Sequence, residues 1–477
     1  TGQEGAGQEA GYDEGLGDAP MPIRRSPELR FDLDFASQSP ALTSAALGID
    51  RVSHRSPAPR QRDVTVFDSE DERLLRAGVV VAHRVLSGVG EWYLAAPQWQ
   101  PRLPAERVEP LRASGGLPDA FMDLIRPLTR GVPLGPVASV DSHSREYILR
   151  TGDGDQLGVI VDERVTVERG AVTVRQYREV TITPESSMTP QQVDHIVEAM
   201  AAVGGSRVDQ FPTLQQRLGP PATGLTDFPV PQPVRTNATM EELVSAVFAA
   251  DLWAITTLLL DAGRDRRPHV ASLNAQLESV GRDLGGLAHV LEPAWREQVE
   301  SLLHGVPFEQ LSDAVAMALQ VSEELVREVR APKLGDVARE EAAPLLLHRA
   351  QHAALILADR CSALTVGSAD RQWEAALAAA DMLAVSAAVA EPVLGKPLRR
   401  IVRRLQAITE HLRACNGHWA TSPSDLDGLT VDEAFALGRQ VERGRSTTMT
   451  ERGRFVALWP DRLDELRRLL TKAKKAG

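Results

Sequence analysis

The spacing of apolar and polar positions changes period once along this 477-residue chain. Over residues 26–185, short runs alternate apolar with polar and are cut by Gly, Pro and Asp, the period of half-buried strands. The run 28–35 alternates strictly. A strand there puts Glu28, Arg30, Asp32 and Asp34 on one face and Leu29, Phe31, Leu33 and Phe35 on the other. Residues 145–150, 157–162, 164–168 and 172–183 read as a meander whose turns fall at 152–155 and Gly170. Past Ser187 the period becomes helical. Met188-Thr189-Pro190 opens a helix towards Val203, residues 212–235 form a Pro/Gly-rich connector, and from Thr239 onward the chain reads as amphipathic helices. Stops at 263–268, 305–307, 332–335, Gly367, 395–397 and 421–428 predict about eight helices, enough for two four-helix bundles.

Composition narrows the class. Apolar residues make up 43% and mean hydropathy is -0.19, values that suit a globular chain. The longest apolar stretch, 375–394, carries Asp381 and Glu391 and reads as a buried bundle helix rather than a membrane span. The first residues lack a basic and then apolar leader, and the two cysteines, Cys361 and Cys415, supply neither a disulfide framework nor a thiolate metal site. A cytoplasmic protein is the expectation. The net charge of -12 is uneven: residues 1–20 hold five acids and no Lys or Arg, whereas 396–477 hold 17 Lys and Arg against 10 Asp and Glu. Such asymmetry points to a local anion-facing surface and away from a membrane or sequence-specific nucleic-acid partner.

The charged face of 28–35 is either a solvated sheet face or the interior of a barrel that holds an anion. Several blocks favour a particular resemblance: Thr65-Val66-Phe67-Asp68-Ser69, then Arg73-Leu74-Leu75-Arg76-Ala77-Gly78-Val79, then Arg84, then Trp92-Tyr93-Leu94-Ala95-Ala96-Pro97. Together they resemble the "YFDT…LxxAGxxLRxR…WxLKLP" core of the CYTH family. Arg145-Glu146-Tyr147, Val161-Asp162-Glu163 and Tyr177-Arg178-Glu179 are similar to its later strands. That family includes inorganic and thiamine triphosphatases and class-IV adenylyl cyclases. The resemblance implies an antiparallel tunnel in which Arg30, Arg84 and Arg145 grip phosphate oxygens while Glu28, Asp162 and Glu179 hold Mg²⁺ or Mn²⁺. The chain departs from the pattern at Ser26, Ala82, Ala95 and Thr181, where the family carries charge, and at Arg30, where it carries Lys. Little or no triphosphate turnover is therefore expected.

The helical part resembles a diverged CHAD domain. Glu391-Pro392-Val393-Leu394-Gly395-Lys396 followed by Leu405-Gln406-Ala407-Ile408 carries the likeness, which implies binding of inorganic polyphosphate. His269 takes the place of that family's first histidine, without the basic ladder that follows it there. From spacing alone, Lys396, Arg399, Arg400, Arg403 and Arg404 form one helical stripe opposite Leu398, Ile401, Val402, Leu405 and Ile408. Water, a polyanion or an acidic protein could cover it. His348 and His352, four residues apart, read as a surface or interhelix pair.

The expected class is thus α+β: an antiparallel β-barrel (tunnel) domain followed by an all-α domain of two four-helix-bundle-like halves. The expected divisions are a disordered acidic tail over 1–25, a CYTH-like domain over 26–205, a linker over 206–235 and a CHAD-like domain over 236–477. Three functions stay open: a polyphosphate- or anion-binding scaffold with a degenerate triphosphate site, a divergent metal-dependent inorganic triphosphatase, and a purely structural interaction module.

Overall fold

The computed structural model describes residues 28–56, 58–86, 88–111, 116–265, 270–416 and 430–475. The acidic segment 1–25 and His269 lie outside the described residues, as do 266–268 of the predicted helix stop at 263–268 and the whole of that at 421–428.

Among the described residues ten strands precede the helical region: β1 Leu29–Leu33, β2 Arg51–His54, β3 Arg60–Asp68, β4 Val80–Leu86, β5 Val89–Ala95, β6 Glu106–Pro110, β7 Gly135–Arg150, β8 Gln156–Arg169, β9 Val172–Pro184 and β10 Ser206–Val208. They form one sheet in the order β10-β1-β9-β8-β7-β3-β4-β5-β6, with β2 also paired to β7. The registers of β1 with β9, β7 with β8 and β8 with β9 are antiparallel. In β8 the two expected runs at 157–162 and 164–168 are one strand. Its buried side changes partway, from Ile160 to Val165 and Val167, so the apolar alternation slips by one residue and mimics a break.

Among the described residues four short α-helices sit among or after these strands: α1 Arg73–Arg76, α2 Asp119–Thr129, α3 Pro190–Ala202 and α4 Leu214–Leu218. Helix α3 begins as the sequence predicts, with Thr189 and Gln192 forming a reciprocal capping box behind Pro190. Its Ile196 and Met200 pack on Leu29, Phe31, Leu33, Ile160 and Ile182, which makes one face of the sheet apolar. Each of these side chains contributes roughly 1.5–3 kcal/mol when fully buried.

The helical region contains α5 Met240–Asp265, α6 Val270–Leu287, α7 Pro293–Leu303, α8 Leu311–Arg330, α9 Ala342–Ser362, α10 Asp370–Leu394, α11 Lys396–Cys415 and α12 Val431–Lys474. Helices α5, α6, α7 and α8 pack among themselves, as do α9, α10, α11 and α12, with α6 against α10 joining the two sets. The expected eight helices and their α+β class are therefore present. Gly286 makes the α6–α10 approach feasible, because a Cβ there would lie 2.6 Å from Val389 Cγ1. Two helices, α5 over Met240–Ala262 and α10, are long and apolar enough to cross a membrane by length and composition. Both are packed in the bundles, which accounts for their composition. The α5 stretch was not singled out from sequence.

Two compact units emerge from the contacts. One comprises residues 1–67, 82–92 and 136–223; the other comprises 68–81, 93–135 and 224–477. The second unit therefore holds α1 and α2 together with the long helices. Within it, buried Asp227 accepts from Arg76 at 2.9 Å and Arg130 at 2.5 Å and pairs also with Arg330, while Glu323 of α8 bonds Arg73 at 2.9 Å and Arg130 at 2.6 Å. Asp227 is 2% exposed, so the three guanidinium groups replace the water that its charge has lost. Their positive charge holds its carboxyl below the usual carboxylate range despite burial. In the same unit Asp68 accepts backbone N–H bonds from Ser69, Leu74 and Leu75 at 2.7, 3.0 and 2.8 Å, fixing α1, and Gly78 adopts φ 73° beside Gln98. The blocks at 65–69 and 73–79 thus serve the architecture.

Candidate functional site

The first unit carries a charged sheet face built by strand period. On β1, Arg30 lies opposite Thr181 and Asp32 opposite Glu179; on β8, Glu163 lies opposite the same Glu179. Two carboxylates directly facing across a ladder repel. Each has its own arginine: Arg62 of β3 reaches Glu163 at 2.6 Å and the Ser142 hydroxyl at 3.3 Å, while Arg217 of α4 reaches Glu179 at 3.0 Å and Asp32 at 2.8 Å. The Arg217 side chain is 5% exposed, and its guanidinium lies over the Tyr177 ring at 3.9 Å. Burial pushes the Glu179 carboxyl above its ordinary range, and the Arg217 hydrogen bond opposes that push. At one end Arg30 pairs with Glu28 and donates to Asp209 O at 3.0 Å; on β7, Glu146 pairs with Arg60 at 2.7 Å and Arg55 at 3.2 Å.

Arg84 of β4 bonds Glu91 of β5 at 2.5 Å. Their strand neighbours His83 and Trp92 meet edge to face, and Phe67 meets Trp92, so Arg84 and Glu91 turn to the other side, the side of even-numbered β3 residues such as Arg62. The sequence-predicted Glu28, Arg30, Arg84 and Glu179 thus share one sheet face. Arg145 and Asp162 do not join them. They are one residue out of phase with Ser144 and Glu163, stand opposite each other in the β7–β8 register, and lie on the face that also carries Arg178. Asp162 there takes a bidentate bond from Arg178, 2.7 Å to each oxygen. Reading the later strands by motif order had placed them inside with the rest.

These positions decide whether the residues fit Mg²⁺ or Mn²⁺. A hard divalent ion needs several converging oxygens without cations among them. Glu28, Glu179 and Asp162 are each committed to an arginine, Asp162 is on the opposite face, and among the described residues no group of three or more His, Cys, Asp and Glu could hold a metal ion. The donor set does not fit. His348 and His352 are both exposed on α9.

The second unit presents the predicted basic stripe on α11. Lys396, Arg399, Arg400, Arg403 and Arg404 are all exposed, while Leu398, Ile401, Leu405 and Ile408 are buried. Arg399 is held by Glu391 of α10 at 2.5 Å and Arg404 by Glu465 of α12 at 2.8 Å. Arg400, Arg403 and Arg404 line a groove of about 460 Å³ together with Arg468, Leu469 and Lys472 of α12. Five cations meet one carboxylate there, and among the described residues Arg400, Arg403 and Lys472 have no acidic partner. Sequence reasoning missed Arg468 and Lys472, although they stand four apart on α12, the spacing that revealed the α11 stripe. It also left Arg62, Glu163 and Arg217 out of the candidate site. Strand parity with Glu179 could have flagged Glu163, but nothing local flagged Arg217.

No family model matches the chain. Uncharacterized proteins from two strains of Mycobacterium tuberculosis are 30% identical over 151 residues, which cover 31% of this chain and 29% of each relative. The match spans less than a third of those relatives' length. Among solved structures, a Bacillus halodurans protein described as an adenylate cyclase candidate is 14% identical, covering 36% of this chain and 98% of that one at a TM-score of 0.22. A Hippeastrum adenylyl cyclase candidate with a dominant triphosphatase activity is 13% identical, covering 39% and 91% at 0.22. At that similarity neither assigns an activity to this chain.

Proposed function

We propose that this chain is a polyanion-binding scaffold of CYTH–CHAD type, with its ligand held by the helical unit and its triphosphate site neutralised from within. The observation that carries the reading is the α11–α12 groove, where Arg400, Arg403, Arg404, Arg468 and Lys472 converge around Glu465 alone. Like charges so close repel unless an anion intervenes, and a chain of phosphates meets several at once while releasing its counterions. Inorganic polyphosphate suits this groove better than an acidic protein surface, since phosphate charges recur on one flexible strand and can follow a concave floor. Support for the CYTH part comes from the residue blocks of the sheet region and from the arginine–carboxylate face they help to build. On this reading the CYTH-like part runs over 26–205 and the CHAD-like part over 236–477, in a cytoplasmic protein. Turnover of triphosphate is not part of the function, because Glu28, Glu163 and Glu179 face arginines rather than open space.

The test is calorimetry with long-chain polyphosphate on the full chain and on the Arg400→Gln, Arg403→Gln, Arg468→Gln, Lys472→Gln variant. Gln is nearly as good a helix former as Arg or Lys, and the apolar faces of both helices stay intact. Binding by the parent that falls at least about tenfold in the variant supports the reading. Equal heats in both proteins, or binding of polyglutamate as tight as that of polyphosphate, would overturn it.

A further inference from the structure

The apolar face of the sheet in the first unit carries two adjoining cavities that the charged-face reading leaves unused. One, of about 300 Å³, is walled by Val52, Tyr147, Ile160 and Val180, with the His54 ring tilted against Tyr147 at 4.7 Å between ring centroids. The other, of about 420 Å³, is walled by Phe35, His143, Arg145 and Arg164. Ser39, Tyr147 and Asp162 line both, so the two are compartments of one site, apolar at one end and cationic at the other.

The site is built rather than incidental, and Arg178 builds it. Its side chain is 2% exposed and uses four donors: two to Asp162, one each to Ser37 O at 2.9 Å and Gln38 O at 3.1 Å. Those bonds pin the segment around Ser39 against the sheet as the wall of both cavities. They also commit the Asp162 carboxylate, which lies directly opposite Arg145 and would otherwise neutralise it. Arg164 lies between His143 on β7 and Arg178 on β9, and its guanidinium rests 5.8 Å from the Phe35 ring centre. Among the described residues neither Arg145 nor Arg164 has an acidic partner. Two guanidinium groups placed diagonally across a ladder, with the intervening acid already satisfied, describe an anion subsite.

We propose that this site binds a small molecule joining a flat apolar ring to a phosphate or carboxylate. The anion sits between Arg145, Arg164 and His143, and the ring between Tyr147 and the aliphatic floor of Val52, Ile160 and Val180. Ser39 and Asp162 lie at the junction, where the ligand can place a hydrogen-bond donor. An extended polyanion does not suit it, because the only charged groups lining the apolar end, Asp162 and Arg178, are bound to each other and leave no free cation there. The proposal is independent of the polyanion groove, which uses residues of the other unit.

The probe is 1-naphthyl phosphate, titrated against the full chain by its own fluorescence at about 0.15 M salt to suppress loose ion pairing. Inorganic phosphate and 1-naphthol serve as the two half-ligands, and naphthoate separates phosphate from carboxylate recognition. Expected is binding of the conjugate at least about tenfold tighter than either half, lost about tenfold in Arg145→Gln/Arg164→Gln and unchanged in the groove variant. Val52→Trp, which fills the apolar compartment, should weaken the conjugate while leaving the melting temperature near that of the parent. The proposal is overturned if inorganic phosphate binds as well as the conjugate, if the double variant binds like the parent, or if the groove variant abolishes binding.

Discussion

At the scale of single residues, Arg217 sets what the charged sheet face can do. Its guanidinium supplies between Asp32 and Glu179 the positive charge that a metal ion would supply in a hydrolase, but as a fixed side chain it cannot activate water or polarise a phosphate. Removing it leaves two partly buried carboxylates, Asp32 and Glu179, without their cation, beside Glu163, which keeps Arg62. Arg217→Ala should therefore cost about 3 kcal/mol, read as a lower urea midpoint at neutral pH. A loss under about 1 kcal/mol would mean that water screens the group as at a surface pair. The variant should also acquire a pH dependence. Glu179 already sits above its unfolded value because of burial, so the folded protein holds a proton that the unfolded chain releases, and stability falls as pH rises from that unfolded value. Without the opposing hydrogen bond that fall should be steeper than in the parent. For the same reason, full-length protein supplied with Mg²⁺ and tripolyphosphate should release no more than trace phosphate. Robust metal-dependent release that vanishes in Glu28→Gln would show that the pairs open. Residue types were legible here before their roles were. Alternation over 28–35 placed Arg30 and Asp32 on one face, yet the plugging arginine comes from a five-residue helix in a Pro/Gly-rich connector, where no periodicity announces it.

At the scale of elements, the period change near Ser187, the capping box at Thr189 and the break at Gly395 were all readable, because each depends on local backbone chemistry. What could not be read was which strand parity faces which neighbour once β8 exchanges its buried side, and that one-residue ambiguity displaced Arg145 and Asp162. The helices hold a second feature that local patterns hide. Asp251 of α5 is buried beside Asp283 of α6 and accepts from Gln276 at 2.8 Å. Burial first, and the neighbouring carboxylate second, push Asp251 far above the ordinary carboxylate range, so it retains a proton beside the Asp283 carboxylate. The folded state thus binds a proton that the unfolded chain loses as pH climbs from the ordinary carboxylate range through neutrality. Stability should fall across that window by up to about 1.4 kcal/mol per pH unit. Asp251→Asn mimics the protonated acid, removing the charge while its amide oxygen still accepts from Gln276. It should flatten the dependence and raise the urea midpoint near about pH 8; an unchanged slope would place the titrating group elsewhere.

At the scale of the whole molecule, a net charge of -12 and a cationic groove act in opposite senses on an approaching polyanion. Beyond the Debye length, about 10 Å at 0.1 M salt, both fields are screened; within it the net charge opposes approach, and at contact the cations of the groove dominate. Salt therefore weakens both effects, but the bound state feels the near one. Affinity should consequently fall with salt even though the protein is acidic overall, because the counterions released come from the polyanion where it meets Arg400, Arg403, Arg468 and Lys472. With Arg399 and Arg404 already paired to Glu391 and Glu465, about four cations are free to do this, and at about 0.7 per charge for a single strand the slope of log affinity against log salt should be near -3. Titrations of polyphosphate at several salt concentrations measure that slope directly. A slope near about -4, six cations at about 0.7 each, would mean that Arg399 and Arg404 leave their acids to join the ligand. A slope near zero would remove the groove as the site, since a cationic surface cannot hold a polyanion without displacing its counterions.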